Sequence, residues 1–366
     1  MTKQKLLRQI YLSICISVLL GISIIPIAYA QQKTQPLAAT QPAGKIIELK
    51  YATIRGPTDL NAERWEIPLS NEIEKQTGGR VKVTHYWSEA LGKGRDQFNM
   101  VKNGLADMSD FPGAYTPGKF LLSEVGNLPF AAKDINNIQK AMNQMLEKGL
   151  FKSAWGEVEV LAWNMTPFYQ ILFRKDKPLT FEDLAGKKVR TPGGYMTEFL
   201  KVIKAVPVNI APSEAYQAWE KGLVEGWMHP AGAFRNYKLY ELSNRCMLKT
   251  NAMIMANAAV IFNKEKMASL DPEIQKIIHK VVKDYQEVYD QAGIYQDELS
   301  FKIMAEKGVE VYNLTDPEWE KMKKASIEVW RKYISDVNAT GGDGKAIVNE
   351  YINILKGLGE KPYYTP

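Results

Sequence analysis

Lys187 to Ile210, KKVRTPGGYMTEFLKVIKAVPVNI, holds a short β-type run at 187–190, a helical segment at 195–203 and a second β-type run at 206–210. Pro192-Gly193-Gly194 breaks the first run before the helix starts. Strand, helix, strand in that order pairs in parallel, because a parallel return needs a crossover long enough to hold a helix. About a hundred residues earlier the pattern recurs. Val81-Lys82-Val83-Thr84-His85-Tyr86 alternates with period two, 96–103 reads as a helix closed by Gly104, and 105–108 reads as a third strand.

The two units share a detail. Ser88-Glu89-Ala90 leads to Gly104-Leu105-Ala106-Asp107, and Ser213-Glu214-Ala215 leads to Gly222-Leu223-Val224-Glu225. The intervening lengths differ, so duplication and chance similarity both stay open. Either origin implies two α/β lobes of similar layering, with a ligand cleft between them outside the carboxyl ends of the strands. A strand at 47–54 and a helix at 61–76, stopped by Thr77-Gly78-Gly79, precede the first unit. Further on, Asp271-Pro272-Glu273 starts a helix whose pattern runs past Tyr289 toward Lys307. At 1.5 Å per residue it exceeds about 40 Å, enough to span both lobes. A strand at 309–312 and helices at 318–337 and 343–358 finish the chain. The expected division is 46–164 plus 249–290 as lobe I and 165–248 plus 291–366 as lobe II.

The composition, 45% hydrophobic and 24% charged over 366 residues, excludes disordered and collagen-like chains. Lys3, Lys5 and Arg8 precede an apolar stretch at 10–27, and Ala28-Tyr29-Ala30 supplies a small-x-small site. Residues 1–30 therefore read as a cleaved signal peptide, with an uncleaved anchor as the competing reading. Ile14 is too bulky to precede a lipidated Cys15. No later segment approaches the roughly 20 apolar residues of a membrane-crossing helix. Residues 31–45, rich in Gln, Thr, Pro and Ala, read as a flexible linker. Removing the three basic residues of the leader lowers the formal charge from +6 to +3, with no basic block, so nucleic acid is not an expected partner. Cys246 is then the one cysteine left, and no internal disulfide is expected.

Nothing specific points to an enzyme. His85, His229 and His279 are too far apart in sequence for metal-ligand spacing. There is no GxSxG or CxxC, and Gly341-Gly342-Asp343-Gly344-Lys345-Ala346 lacks the first glycine and the Ser or Thr of a phosphate-cradling loop. No cofactor and no metal are expected.

Several stretches combine: Thr77-Gly78-Gly79-Arg80-Val81, Leu128-Pro129-Phe130, Leu184-Ala185-Gly186-Lys187-Lys188-Val189-Arg190-Thr191-Pro192, Gly222-Leu223-Val224-Glu225-Gly226 and Leu270-Asp271-Pro272-Glu273-Ile274-Gln275. In that order, across about 45–358, the chain resembles the periplasmic solute-binding proteins of TRAP (tripartite ATP-independent periplasmic) transporters, the DctP-like family. The resemblance implies a two-lobed periplasmic-binding-protein-like fold that closes on an organic anion and delivers it to a TRAP membrane permease. It also implies that Arg190 holds the ligand carboxylate. Chemistry independent of the family agrees, since a guanidinium makes two parallel bonds to a carboxylate and keeps its proton.

The second landmark of the resemblance falls on Gly226-Trp227-Met228-His229-Pro230, where Trp227, Met228 and His229 suit an apolar or aromatic body better than a second carboxylate. Core packing is the alternative for Trp227 and Met228. Where many relatives carry another arginine, this chain has Thr166-Pro167-Phe168-Tyr169, and Arg174 sits at the far end of that strand. A monocarboxylate with a hydrophobic remainder is therefore favoured over a dicarboxylate or a sialic acid. Phe111, Tyr115, Phe168 and Tyr169 are the candidate aromatic lining, with Arg55 and Arg95 as possible assistants or structural charges. The competing functions are an exported hydrolase or lyase acting on an organic acid and an extracytoplasmic partner of a sensor kinase.

Overall fold

The computed structural model describes residues 45–365 except 117, 242–245 and 251–252. The expected signal peptide, and the expected linker up to residue 44, lie outside the described residues.

The strands are β1 Ile47–Ala52, β2 Val81–Tyr86, β3 Met108–Phe111, β4 Glu159–Met165, β5 Gln170–Phe173, β6 Lys188–Thr191, β7 Val206–Asn209, β8 Gly226–His229, β9 Cys246–Leu248, β10 Asn257–Phe262 and β11 Glu310–Tyr312. They form two sheets, a five-stranded one ordered β2-β1-β3-β10-β4 and a six-stranded one ordered β11-β9-β5-β8-β6-β7. The helices are α1 Ile67–Gln76, α2 Gln97–Lys102, α3 Ile135–Glu147, α4 Lys152–Trp155, α5 Gly194–Val202, α6 Ala215–Glu220, α7 Ala231–Asn236, α8 Lys264–Ser269, α9 Pro272–Asp284, α10 Gln286–Glu306, α11 Asp316–Ala339 and α12 Gly344–Gly357. The fold is α/β and two-lobed, one sheet to each lobe.

β1-β2, β1-β3, β6-β7 and β6-β8 pair in parallel, as the strand–helix–strand pattern requires. Each sheet also carries one strand antiparallel to both neighbours, β10 in the first and β5 in the second. These two are entered directly from a strand of the other sheet, β5 after β4 and β10 after β9, whereas β11 returns to the second sheet only after the helices that follow β10. The crossing segments run side by side: Thr166 N donates to Ala256 O at 2.9 Å, and Tyr169 N donates to Ile254 O at 2.8 Å.

Two sequence expectations fail locally. Residues 105–107 do not join a strand, because the Leu105 and Ala106 amides bond back to Met100 O at 2.9 and 3.2 Å and close α2; β3 begins only at Met108. The single long helix is two, broken at Tyr285 (φ −89°, ψ 4°). α9 buries the apolar face Ile274, Ile278, Val281 and Val282, whereas the buried face of α10 includes Asp290, Gln296, Asp297 and Ser300. The helix spanning both sheets is thus α10, 21 residues and about 30 Å long. Its first turn packs Tyr289 against Trp65 (centroids 4.9 Å apart), and its far end puts Met304 in the cluster of Trp219 and Trp227 beneath the second sheet.

The carboxyl end divides between the sheets. Tyr195 of α5 donates to Asp336 of α11 at 2.7 Å. By contrast, Glu350 within α12 pairs with Lys148, and past α12 Glu360 accepts from the amides of Lys133 and Asp134 at the start of α3 (2.9 and 3.1 Å). No helix among the described residues is long and apolar enough to cross a membrane.

Candidate functional site

β6 alternates at its start, Lys188 exposed and Val189 in the core, and then continues buried through Arg190 and Thr191. Arg190 is 0% exposed, and across the β6-β8 ladder it pairs in register with Trp227. That pairing sets its guanidinium 5.1 Å from the Trp227 ring. Two backbone carbonyls hold the group: Nε donates to Ile210 O at 3.0 Å and Nη1 donates to Met228 O at 3.3 Å. Nη2 is buried without a partner, and no carboxylate pairs with Arg190 among the described residues. Burial pushes its pKa down, and Tyr115, Tyr169 and Tyr237 partly offset this. A buried cation with neutral partners costs several kcal/mol.

After β6 the chain must turn sharply. Gly193 adopts φ 124°, and Gly194 at φ 55° lies so close to Glu124 that a Cβ there would meet the carboxylate at 2.6 Å. Only glycine fits both demands. The pair that looked like punctuation in the sequence therefore lets α5 start directly beyond Arg190.

Two cavities meet in front of this strand end. One, of about 410 Å³, is lined by Arg190 together with Ile210, Asn209 and the exposed Arg95. The other, of about 590 Å³, is lined by Tyr115, Tyr169, His229, Tyr237 and Tyr289 among others. Glu89, Tyr115, Pro192 and Ser213 belong to both walls, so the two spaces adjoin. His229 stacks on Tyr169 (5.3 Å, 20°) and meets Tyr237 edge-on (6.1 Å, 87°). Its Nδ1 has no partner, and burial, with the charge of Arg190 second, holds its pKa well below the usual value. It therefore sits in the wall as a neutral ring with one donor and one acceptor.

Of the residues singled out by sequence, Arg190, His229, Tyr169 and Tyr115 come together here. Trp227 and Met228 do not line either cavity: both are 0% exposed, Trp227 backing the guanidinium and Met228 contributing its carbonyl. Phe111 is core, packed against Phe98, Phe120 and Trp155, because β3 turns this side chain away from the cleft. Phe168 packs against the main core. Arg174 donates to Glu220 O at 3.1 Å, away from the site. Arg55 lines the larger cavity, but Glu66 (2.6 Å) and Asp110 (3.0 Å) already hold it. Burial raises Glu66 to about 7 in spite of that pairing.

Sequence reasoning missed a whole wall. Tyr289, Gly293, Gln296 and Asp297, spaced i, i+4, i+7 and i+8 along α10, all line the larger cavity. The helical spacing was readable, but the helix was read only as a span between the lobes and none of its residues was assigned to the cleft. Also missed were Tyr237, Asp59 and Asn236. The Asn236 side chain donates to Asp59 at 2.5 Å, between the end of α7 and the loop after β1. Among the described residues no group of three or more His, Cys, Asp or Glu could hold a metal ion.

Residues 56–336 match the family model described as bacterial extracellular solute-binding protein, family 7 (DctP). The C4-dicarboxylate-binding periplasmic protein DctP of Rhodobacter capsulatus is 24% identical over 296 residues, 78% of this chain and 87% of that protein. A marine metagenome TRAP solute-binding protein specific for aromatic acid ligands, solved with 3-hydroxybenzoate, superposes with a TM-score of 0.80 at 22% identity, covering 86% of this chain and 99% of that one. A TRAP periplasmic solute-binding protein from Bordetella bronchiseptica, with (R)- and (S)-mandelate bound, gives 0.78 at 23% identity, covering 85% and 99%.

Proposed function

Because the chain belongs to the bacterial extracellular solute-binding proteins of family 7, receptors of TRAP transporters, we propose that it captures an organic monocarboxylate with an aromatic body and hands it to a TRAP permease from the periplasm. Capture is by closure of two lobes, one around each sheet, hinged on the paired crossing segments 166–169 and 254–256 and on α10. The lobes correspond to 46–164 plus 249–290 and to 165–248 with the chain onward from 291, except that α12 and the tail after it go with the first lobe. The ligand is bound and released unchanged, in keeping with relatives described as binding proteins.

The observation that carries this reading is Arg190, buried, fixed by two carbonyls, with Nη2 unpartnered and no carboxylate side chain paired to it among the described residues. Rings supply the rest: Tyr115, Tyr169, His229 and Tyr237 offer flat faces and edges, which favour an aromatic acid over a chain of equal polarity. The neighbours solved with 3-hydroxybenzoate and mandelate carry ligands of this kind. With Arg55 occupied by two carboxylates, a second ligand carboxylate finds no free buried guanidinium among the described residues, which disfavours dicarboxylates.

The test is calorimetry of the mature protein with benzoate, 3-hydroxybenzoate, mandelate and succinate, repeated on Arg190→Ala. At least one aromatic acid should bind more tightly than succinate, and the variant should lose that binding a hundredfold or more while keeping its circular dichroism. Tight binding retained by the variant would overturn the assignment, and consumption of a bound acid would favour an exported hydrolase or lyase instead.

A further inference from the structure

The larger cavity has a second polar pole that no aromatic carboxylate alone would satisfy. Asp297 is 8% exposed, and its Oδ1 accepts the Gly232 amide at 2.9 Å. No basic side chain pairs with it among the described residues. Burial lifts it from the usual carboxylate range to about 7. Beside it Gln296, 6% exposed, leaves Oε1 buried without a partner. Both line the larger cavity and neither lines the smaller, whereas Arg190 lines only the smaller. Acceptor and donor poles therefore stand in two adjoining spaces. Behind the acceptor pole Gly232 makes room for Gln296, since a Cβ there would meet Gln296 Nε2 at 2.3 Å, so the Gln296 side chain packs directly on α7. A buried acceptor without a donor loses the hydrogen bond it had in water, and a ligand bearing a donor at that point restores it.

We propose that Asp297 and Gln296 receive a hydroxyl donor on the ligand, remote from the carboxylate held by Arg190, so that the preferred ligands are hydroxylated aromatic acids. This rests on the anion reading above and adds a selectivity that Arg190 cannot supply, because a guanidinium treats an acid and its hydroxylated analogue alike. Sites built to bond a hydroxyl reject the analogue lacking it more strongly than apolar pockets reject an extra one.

Matched pairs test it by calorimetry: benzoate against 3- and 4-hydroxybenzoate, and phenylacetate against its 3- and 4-hydroxy derivatives, with 3-aminobenzoate as an amine donor. For the wild-type protein one hydroxylated member should bind at least tenfold more tightly than its parent. In Asp297→Asn, which keeps an acceptor for the Gly232 amide, that ratio should fall at least threefold, and in Gln296→Leu it should also fall. Melting curves of both variants confirm that they fold, and since each variant is read as a ratio, a general loss of affinity does not imitate the effect. Equal binding of parents and hydroxy acids by the wild type, or a ratio unchanged in both variants, overturns the second pole and leaves the anion reading standing. A preference for the amine alone overturns the hydroxyl assignment. If no acid binds at all, the anion reading falls and the second pole with it.

Discussion

Two arginines face the same space with opposite roles. Arg55 and Arg190 both sit just beyond or at the end of a strand, and both are buried or nearly so. Arg55 is stapled by Glu66 and Asp110, with Thr53 Oγ1 also donating to Glu66 at 3.0 Å. Burial works against its charge, yet the two carboxylates outweigh that and hold its pKa well above the ordinary value. Truncating Arg55 leaves two buried carboxylates without a cation, so Arg55→Ala should destabilise the protein by about 3–5 kcal/mol. Arg190→Ala relieves the cost of an unpaired buried cation while losing two hydrogen bonds to carbonyls and some packing, terms of opposite sign, and should destabilise the protein less than Arg55→Ala does. A urea midpoint for Arg55→Ala equal to that of Arg190→Ala would contradict this division of labour. The sequence could place Arg190, because a strand end followed by Pro192-Gly193-Gly194 points into a cleft. It could not separate the two arginines, because the partners of Arg55 come from the start of a helix and from β3, elements brought to it only by folding.

The element most opaque to sequence is α10. Amphipathic reading assumes that the buried stripe is apolar, which holds for α9 and fails for α10, where Asp290 and Asp297 lie inward. Of the four rings read as aromatic lining, Tyr115 and Tyr169 line the larger cavity while Phe111 and Phe168 pack against the core, and the rest of the wall includes prolines and the polar face of a helix. Asp290 shows the cost of such a face. Gln139 of α3 donates to its Oδ2 at 2.7 Å, its Oδ1 has no partner, and burial, reinforced by Asp134 and Glu287, lifts its pKa to about 7. The folded protein thus takes up this proton well before the unfolded chain does. Its contribution is fully present below the ordinary carboxylate pKa and is lost as pH rises through about 7. Asp290→Asn keeps an acceptor for Gln139 and removes the titration. Relative to wild type, it should therefore gain on the order of 2 kcal/mol between pH 5 and pH 8 in urea unfolding. A difference between the two proteins that stays flat with pH would mean that Asp290 does not titrate with folding.

At the scale of the molecule, period-two runs alternating with helices were enough to give two lobes, since only local pattern was needed. The expected division already put crossings at about 164 and 248; what was not legible is that the strands entered there, β5 and β10, run antiparallel to their neighbours, a matter of topology that no window of sequence contains. If the lobes hinge as proposed, ligand affinity includes the free energy of closing, and any contact made only on closure adds to it. The bond from Asn236 to Asp59 joins the end of α7, beside the second sheet, to the loop after β1 in the first, and no sheet or helix packing enforces it. Removing one such partly exposed charge-assisted bond costs about 1 kcal/mol, a factor of about five in affinity. Asp59→Ala should weaken binding of the tightest aromatic acid by about that factor, with the change in the dissociation rate, because the open form meets ligand as before. Asp59 also lines the cavity, so a direct contact with ligand would imitate this loss. The Asn236→Ala variant and the double variant separate the two: for a latch, each single loss equals the double loss, whereas a direct contact from Asp59 makes the losses add. Additive losses, or a loss confined to the association rate, would remove the latch from the closing equilibrium.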